Sequence, residues 1–334
     1  MNLGGHKVLV TGGAGFIGSH LVEHLIELGC EVAVLDNFRN GKRENLAAVA
    51  GRPALRILHG DVTDATTCLR ACRGMDFVFH LACLGVRHSL HNPIENHQVN
   101  ALGTLHMLEA AAAAGVARFI YVSSSEVYGR ATDFPIRETT ATWPLTVYGA
   151  SKLAGEHYTR AYHEGFGVPS VCVRPFNNYG TRSHFEGDAG EVIPRFMLRA
   201  LAGQPPVIFG DGSHTRDLLF VRDCVEALAT IATCDALTGE VVNLGFGEEV
   251  RVDALAQAVL EVTARADLKP VLEAPRPVDV PRLWVDTTKL RTALDFKPRV
   301  SLKDGLAKTL DHFRRLFAEN PRCLEQMTAR NWER

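Results

Sequence analysis

The chain has 334 residues, enough to bury a sizeable core in one large domain or two moderate ones. Apolar residues at 46% and charged residues at 22% are ordinary for a globular protein and leave no extended disorder except near the end. Lys and Arg number 36 against 38 Asp and Glu, so the formal charge of −2 excludes the basic surplus of a nucleic-acid or anionic-membrane binder.

No run approaches the roughly 18 consecutive apolar residues of a membrane span. The sequence enters a short strand at Lys7 without the apolar segment of a signal peptide, so a cytoplasmic location is expected. Cys30, Cys68, Cys72, Cys83, Cys172, Cys224, Cys234 and Cys323 form no C-x-x-C pair, which predicts reduced, structural thiols.

In chain order, KVLVTG, EVAVLD, LRILHG, MDFVFHLA, RFIYVSS and PSVCVRP read as strands, with helical stretches over 15–29, 93–115 and 146–165 between several of them. This alternation predicts an α/β fold with a Rossmann-type, doubly wound parallel sheet. Ligands of such sheets bind at the carboxyl ends of the strands, where VSSSE (122–126) lies. After about residue 175 the rhythm breaks. The expectation is a nucleotide-binding domain over 1–175 and a smaller α/β substrate-binding region over 176–334, some of whose segments return to the first domain.

TGGAGFIGSHL (11–21) follows the first strand and opens the first helix. Gly12, Gly15 and Gly18 give G-x-x-G-x-x-G, suited to a tight turn, close backbone approach to a pyrophosphate, and a helix N-terminus aimed at it. The second strand ends in Asp36, placed to accept hydrogen bonds from adenosine ribose hydroxyls. Together they predict a dinucleotide site. The carboxylate would repel a 2′-phosphate, so NAD is preferred over NADP, with Arg39, Lys42 and Arg43 as nearby cations. Asp61 in HGDV could reach the adenine amino group, cap the following helix, or do both. His20, Glu23 and His24 spell H-x-x-E-H, but Ile17, Leu21, Leu25 and Leu28 form the apolar stripe, which puts these three with Glu27 on a solvated face. No metal site is expected.

YGASK (148–152) places Tyr148 and Lys152 on one helix face. A tyrosine of pKa about 10 is scarcely ionised at neutral pH. A neighbouring ammonium, helped by a positive nicotinamide ring, would make Tyr148 a base able to take a hydroxyl proton while hydride leaves the same carbon.

With TGGAGFIG, LDN, GDV, HLA, SSSEVYG, YGASK, RPFNNYG and TRDLLFV in order over about 300 residues, the sequence resembles the extended short-chain dehydrogenase/reductase family, among its NAD-dependent nucleotide-sugar enzymes. The resemblance implies cofactor contacts from the glycine loop with Phe16 and Ile17, from Asp36 and Asn37, and from Asp61 and Val62. It adds Leu81 and Ala82 of HLA, and Arg174 and Pro175 near the nicotinamide. It implies a catalytic triad of Ser124, Tyr148 and Lys152, transient oxidation of sugar C4 with recycled NAD, and a homodimer through helices 93–115 and 146–165. Asn100 resembles the family's buried asparagine, or is a structural amide. For a nucleotide-diphosphate sugar, UDP-linked by preference, the resemblance points to Asn177 and to Arg216 and Arg282 on the pyrophosphate.

Glu126 discriminates among reactions. Simple 4-epimerases resemble this chain except at this position, whereas 4,6-dehydratases and UDP-glucuronate decarboxylases carry an acid there. Ser125 stands where deoxythymidine-diphosphate-glucose dehydratases carry Asp. The pair favours a UDP-glucuronate decarboxylase-type reaction, then 4,6-dehydration, then 4-epimerisation. Arg87, His88 or Arg182 would compensate a substrate carboxylate, and Arg87 also suits a uronate 4-epimerase. A noncatalytic NAD-sensing protein of the same fold is the rival from another class.

Overall fold

The computed structural model describes residues 3–276 and 278–333. Its strands are β1 (Lys7–Thr11), β2 (Glu31–Asp36), β3 (Leu55–His59), β4 (Phe77–His80), β5 (Arg118–Val122), β6 (Ser170–Pro175), β7 (Asn177–Tyr179), β8 (Val207–Phe209), β9 (Thr215–Phe220), β10 (Val241–Leu244), β11 (Glu249–Arg251) and β12 (Val271–Glu273). Its helices are α1 (Phe16–Glu27), α2 (Ala65–Cys72), α3 (Val86–His91), α4 (Pro93–His97), α5 (Gly103–Ala114), α6 (Val147–Phe166), α7 (Val192–Leu201), α8 (Val221–Ala232), α9 (Val252–Val262), α10 (Thr288–Leu294) and α11 (Leu302–Glu319).

Seven strands form one parallel sheet in the order β10-β6-β5-β4-β1-β2-β3. Both faces are covered, which is why β4 and β5 are buried at every position and apolar at all but one position each, His80 and Arg118. One face packs on α1 and α8, with Leu21, Val22, Phe79, Ile120, Val173 and Leu228 among its core residues. The other packs on α2, α5 and α6, around Leu9, Leu35, Val78, Leu108 and Phe119. Each such side chain, fully buried, contributes about 1.5–3 kcal/mol. The edge strand β10 comes from beyond residue 175, so a cut there divides this sheet; its register places Val242 beside Val173. Strands β11, β9 and β7 form a second small sheet and β12 with β8 a third. A separate apolar core there gathers residues of α7, α9 and α11.

Local chemistry departs from expectation in two places. The side of α1 carrying His20, Glu23 and His24 is not solvated. His20 is buried and its Nε2 lies 3.0 Å from the Thr181 carbonyl, while Arg182 binds Glu23 at 2.6 Å. Burial first, then the Arg182 charge, lower the His20 pKa to about 3. Leu28, assigned to the apolar stripe, is instead exposed, and Val22 and Ile26 complete the buried face. Second, α2 is capped by Asp64, whose side chain accepts the Thr66 N–H, which frees Asp61 from that role.

Helix α6 reaches the sheet because Gly155 has no side chain. A Cβ there would meet the Tyr121 hydroxyl oxygen at 2.2 Å. That hydroxyl donates to the Lys152 carbonyl at 3.2 Å, fixing α6 over the end of β5. Beyond α11 the chain folds back through a 3₁₀ turn, Pro321–Gln326, with Cys323 fully buried.

Candidate active site

A cleft of about 870 Å³ runs along the carboxyl edge of the parallel sheet and continues between the small sheets and α7. At one end lies the glycine loop. Gly12 has φ of +68°, and a Cβ there would stand 2.9 Å from the Ala82 backbone; a Cβ on Gly18 would fall 2.1 Å from the Gly12 carbonyl oxygen. Only glycine keeps this turn tight against the start of α1. Asp36 accepts the N–H groups of Ala14 at 2.9 Å and Phe38 at 2.8 Å, and burial raises its pKa. Asp61 accepts from Asn37 at 2.6 Å and from Thr63; burial opposes these bonds, which nonetheless hold its carboxyl below the usual range.

Gly12, Gly15, Phe16, Ile17, Gly18, Asp36, Asn37, Asp61, Val62, Leu81, Ala82 and Pro175 all line this part of the cleft. The glycine cradle and the Asp36 carboxylate therefore fit NAD. The three nearby cations are committed elsewhere: Arg39 to Glu95, Lys42 to Glu186, and Arg43 stacked on Phe38.

Arg174 departs from expectation. It does not line the cleft; it is buried in a two-pronged pair with Glu156, at 2.9 and 2.6 Å, and donates to the Tyr128 hydroxyl. Asn100 likewise serves the backbone, bonding the N–H and carbonyl of Leu84.

The three hydroxyls after β5 divide by role. Ser123 donates to Glu156, joining the Arg174 pair, and is structural. Ser124 accepts the Glu126 N–H at 3.2 Å and hydrogen-bonds the Tyr148 phenol. Ser125 lines the cleft. Thr146 caps α6 by accepting the Gly149 N–H at 3.0 Å, which sets Tyr148 in the first turn with Lys152 one turn on. Both line the cleft.

Lys152 donates to the Val122 carbonyl at 2.8 Å, and burial lowers its pKa. Burial, then the neighbouring Cys83, push the Tyr148 phenol well up. The chain's own groups thus leave Tyr148 protonated; a positive nicotinamide ring held in this cleft would supply the opposing charge. Cys83 was expected to be structural; it is exposed in the cleft instead.

Glu126 lies in the same cleft, its pKa raised by burial, with the charges of Arg216 and Arg87 opposing. Arg87 lines the cleft, and no described residue hydrogen-bonds its guanidinium. Burial lowers its pKa against the pull of Glu191, Asp279 and Glu126. His88 and Arg182 do not line the cleft. His88 faces Glu95 and Arg39, and Arg182 belongs to the α1 contact.

Farther along, Asn177 presents an Oδ1 without a partner, and Arg216 is held by Asp279 and the Val280 carbonyl. Arg282 is not in the cleft. It pairs with Glu249 at 2.6 Å and lies over the Phe134 and Trp284 rings. The second cleft-lining arginine here is Arg276, whose Nε is buried without a partner. Burial, then the Arg87 charge, lower its pKa to about 9. Sequence reasoning missed Arg276, whose signal was its place between two prolines, and Glu191, a half-buried cleft carboxyl that desolvation raises to about 7. Among the described residues no cluster of His, Cys, Asp and Glu is placed to hold a metal ion, and no helix is long and apolar enough to cross a membrane.

The family model of GDP-mannose 4,6 dehydratase matches residues 9–309. A UDP-glucose 4-epimerase of Mycolicibacterium smegmatis is 37% identical over 92% of this chain and 98% of its own length. UDP-glucuronic acid decarboxylase 1 of Arabidopsis thaliana is 35% identical over 92% of this chain and 70% of its own. The structure of a dTDP-glucose 4,6-dehydratase from Streptomyces venezuelae, solved with NAD bound, superposes with a TM-score of 0.89 at 33% identity, covering 94% of this chain and 99% of that one. The glycine cradle, the Ser124–Tyr148–Lys152 constellation and these similarities agree: the chain belongs to the extended short-chain dehydrogenase/reductase family, with the GDP-mannose 4,6 dehydratase domain.

Proposed function

We propose that the protein is an NAD-dependent enzyme that oxidises C4 of a nucleotide-diphosphate uronic acid and then releases the C6 carboxylate as carbon dioxide. The observation that carries this reading is the half-buried Glu126 carboxyl, lining the same cleft as Tyr148, with the Arg87 charge acting on it and Ser125 in place of a second acid. NAD at the glycine loop supplies a hydride acceptor for C4 and a donor for its return. Tyr148 takes the C4 hydroxyl proton, with Ser124 hydrogen-bonded to the phenol. The C4 ketone makes the C6 carboxylate that of a β-keto acid. The C5–C6 bond breaks, its electrons pass to the C4 oxygen, and Glu126 protonates C5. Arg87 neutralises the substrate carboxylate that Glu126 would otherwise repel, while Arg216 and Arg276 hold the diphosphate, with Asn177 on the sugar nucleotide.

A second reading, uronate 4-epimerisation, is favoured by the same Arg87 and by the similarity to the mycobacterial epimerase. Mass spectrometry of the products from UDP-glucuronate, UDP-glucose, UDP-N-acetylglucosamine and the GDP and dTDP sugars decides between them. Loss of carbon dioxide is expected. Loss of water would mean dehydration, and an unchanged mass with a new stereoisomer would mean epimerisation. Tyr148→Phe should abolish every one of these; turnover equal to the parent would remove Tyr148 as the base, and no turnover in either would leave only an NAD-sensing role. Hydride returns to the sugar, so NAD copurifies and stoichiometric NADH release would contradict the scheme.

The reading extends to a homodimer in the cytoplasm. Ile94, Leu102 and Val147 are exposed apolar side chains on the two helical stretches that would meet. Sedimentation of wild type and Ile94→Glu checks it.

A further inference from the structure

We propose that the C-terminal tail, through Trp332, forms a wall of the nucleotide end of the cleft and sets which base is accepted. This rests on the nucleotide-sugar reading above. The family match ends at residue 309, so nothing in that match assigns the tail a role.

The far end of the cleft differs from the rest in being apolar and aromatic: Phe196, Ile208, Phe209, Leu218 and Trp332 line it beside Arg216 and Arg276. Trp332 meets Phe209 edge to face, with ring centroids 4.5 Å apart at 87°. The Arg276 guanidinium lies over both rings, 5.1 Å from Phe209 and 5.3 Å from Trp332. The tail therefore orients the guanidinium whose Nε has no partner in the protein. A planar base beside two aromatic rings, with its diphosphate running toward paired arginines, matches this arrangement in shape and charge.

The tail is tied to the cleft walls by side chains rather than lying loosely on them. Arg195 on α7 donates to the carbonyls of Thr328 at 2.7 Å and Ala329 at 3.0 Å. Asn331 is 1% exposed and donates to the Gly190 carbonyl, next to the cleft residue Glu191. Arg330 reaches Glu273 of β12 at 3.8 Å, and Glu273 is paired in register with Phe209 of β8. Residues 328–331 thus span α7, the loop before it and the small parallel sheet, and Trp332 is the ring that this span delivers.

The test measures binding of UDP, CDP, dTDP and GDP to the full-length NAD-loaded protein and to Trp332→Ala, Trp332→Phe and a chain ending at Gln326. Base–aromatic contacts of this kind are worth enough for a loss of about tenfold or more in affinity. The expected result is that loss in Trp332→Ala and in the shortened chain, a changed ranking among the four bases, affinity within about threefold in Trp332→Phe, and unchanged NAD content. A Trp332 that only helped folding would not alter the ranking. If Trp332→Ala fails to fold, Trp332→Leu replaces it and is judged by the same ranking. Wild-type binding with unchanged affinity and ranking in the variants overturns the tail's role alone. A wild type that binds none of the four diphosphates overturns the nucleotide-sugar reading and this inference with it.

Discussion

Glu156 and Arg174 form a buried, two-pronged ion pair at 2.9 and 2.6 Å, and the Ser123 hydroxyl donates to the same carboxylate. The pair joins α6, which carries Tyr148 and Lys152, to β6, so it holds that helix against the sheet and lies outside the cleft lining. Glu156→Gln strands a buried guanidinium and should cost about 3–5 kcal/mol in urea unfolding. Replacing both partners by Leu and Met should recover much of that loss. A double variant as unstable as the single one would show that the charge pairing is not what matters.

Glu126→Gln removes a proton donor but leaves C4 oxidation by Tyr148 intact. Carbon dioxide release is expected to fall about 10²–10⁴-fold, while reduced nicotinamide still forms in a single turnover. If the variant decarboxylates at the parent rate, Glu126 is not the acid.

Arg276 and Arg282 should separate cleanly. A charge-assisted hydrogen bond is worth about 1.5–3 kcal/mol, so Arg276→Ala should raise KM for the nucleotide sugar by about tenfold or more. Arg282→Ala loses a pair with Glu249 outside the cleft and should leave KM within about twofold. Steady-state kinetics of the two variants side by side provides the comparison, and equal effects would return Arg282 to the pyrophosphate.

Glu191 makes stability depend on pH. Its folded pKa of about 7 lies above the usual value near 4.3 of an unfolded chain, so the folded state binds the extra proton. That contribution is full below about pH 4.3 and is lost as pH rises through 7. The charges of His184 and Arg87 moderate the effect. Glu191→Gln should therefore gain on the order of 2 kcal/mol relative to wild type between pH 5 and pH 8. Urea midpoints at the two pH values check it; a constant gap between the proteins would refute the assignment.

The glycine loop, Asp36 and the Tyr148–Lys152 pair were legible in the sequence because each depends on local spacing around one strand or helix turn. The arginines were not. Arg174, Arg216, Arg276 and Arg282 all lie beside strand ends or prolines, and which of them faces the cleft is decided by carboxylates distant in sequence, Glu156 for Arg174 and Glu249 for Arg282. The same holds for α1. Its His20 side reads as polar and hence solvated, yet the 181–182 loop covers it and bonds His20 and Glu23. The periodicity of one helix carries no record of what a later segment places against it.

The edge strand β10 bears on how the chain assembles. Its partner β6 ends at Pro175, and the intervening residues carry β7, α7, β8, β9 and α8 before the chain returns. The large sheet therefore cannot be completed until a loop of more than sixty residues closes, a step whose entropic cost precedes any reward from the pairing. During synthesis the NAD-binding half must wait, with β6 as an unpaired edge, until the segment through Leu244 has emerged from the ribosome. A chain stopped shortly after Pro175 would keep that edge open and be prone to associate through it, whereas one stopped after α10 would have closed it.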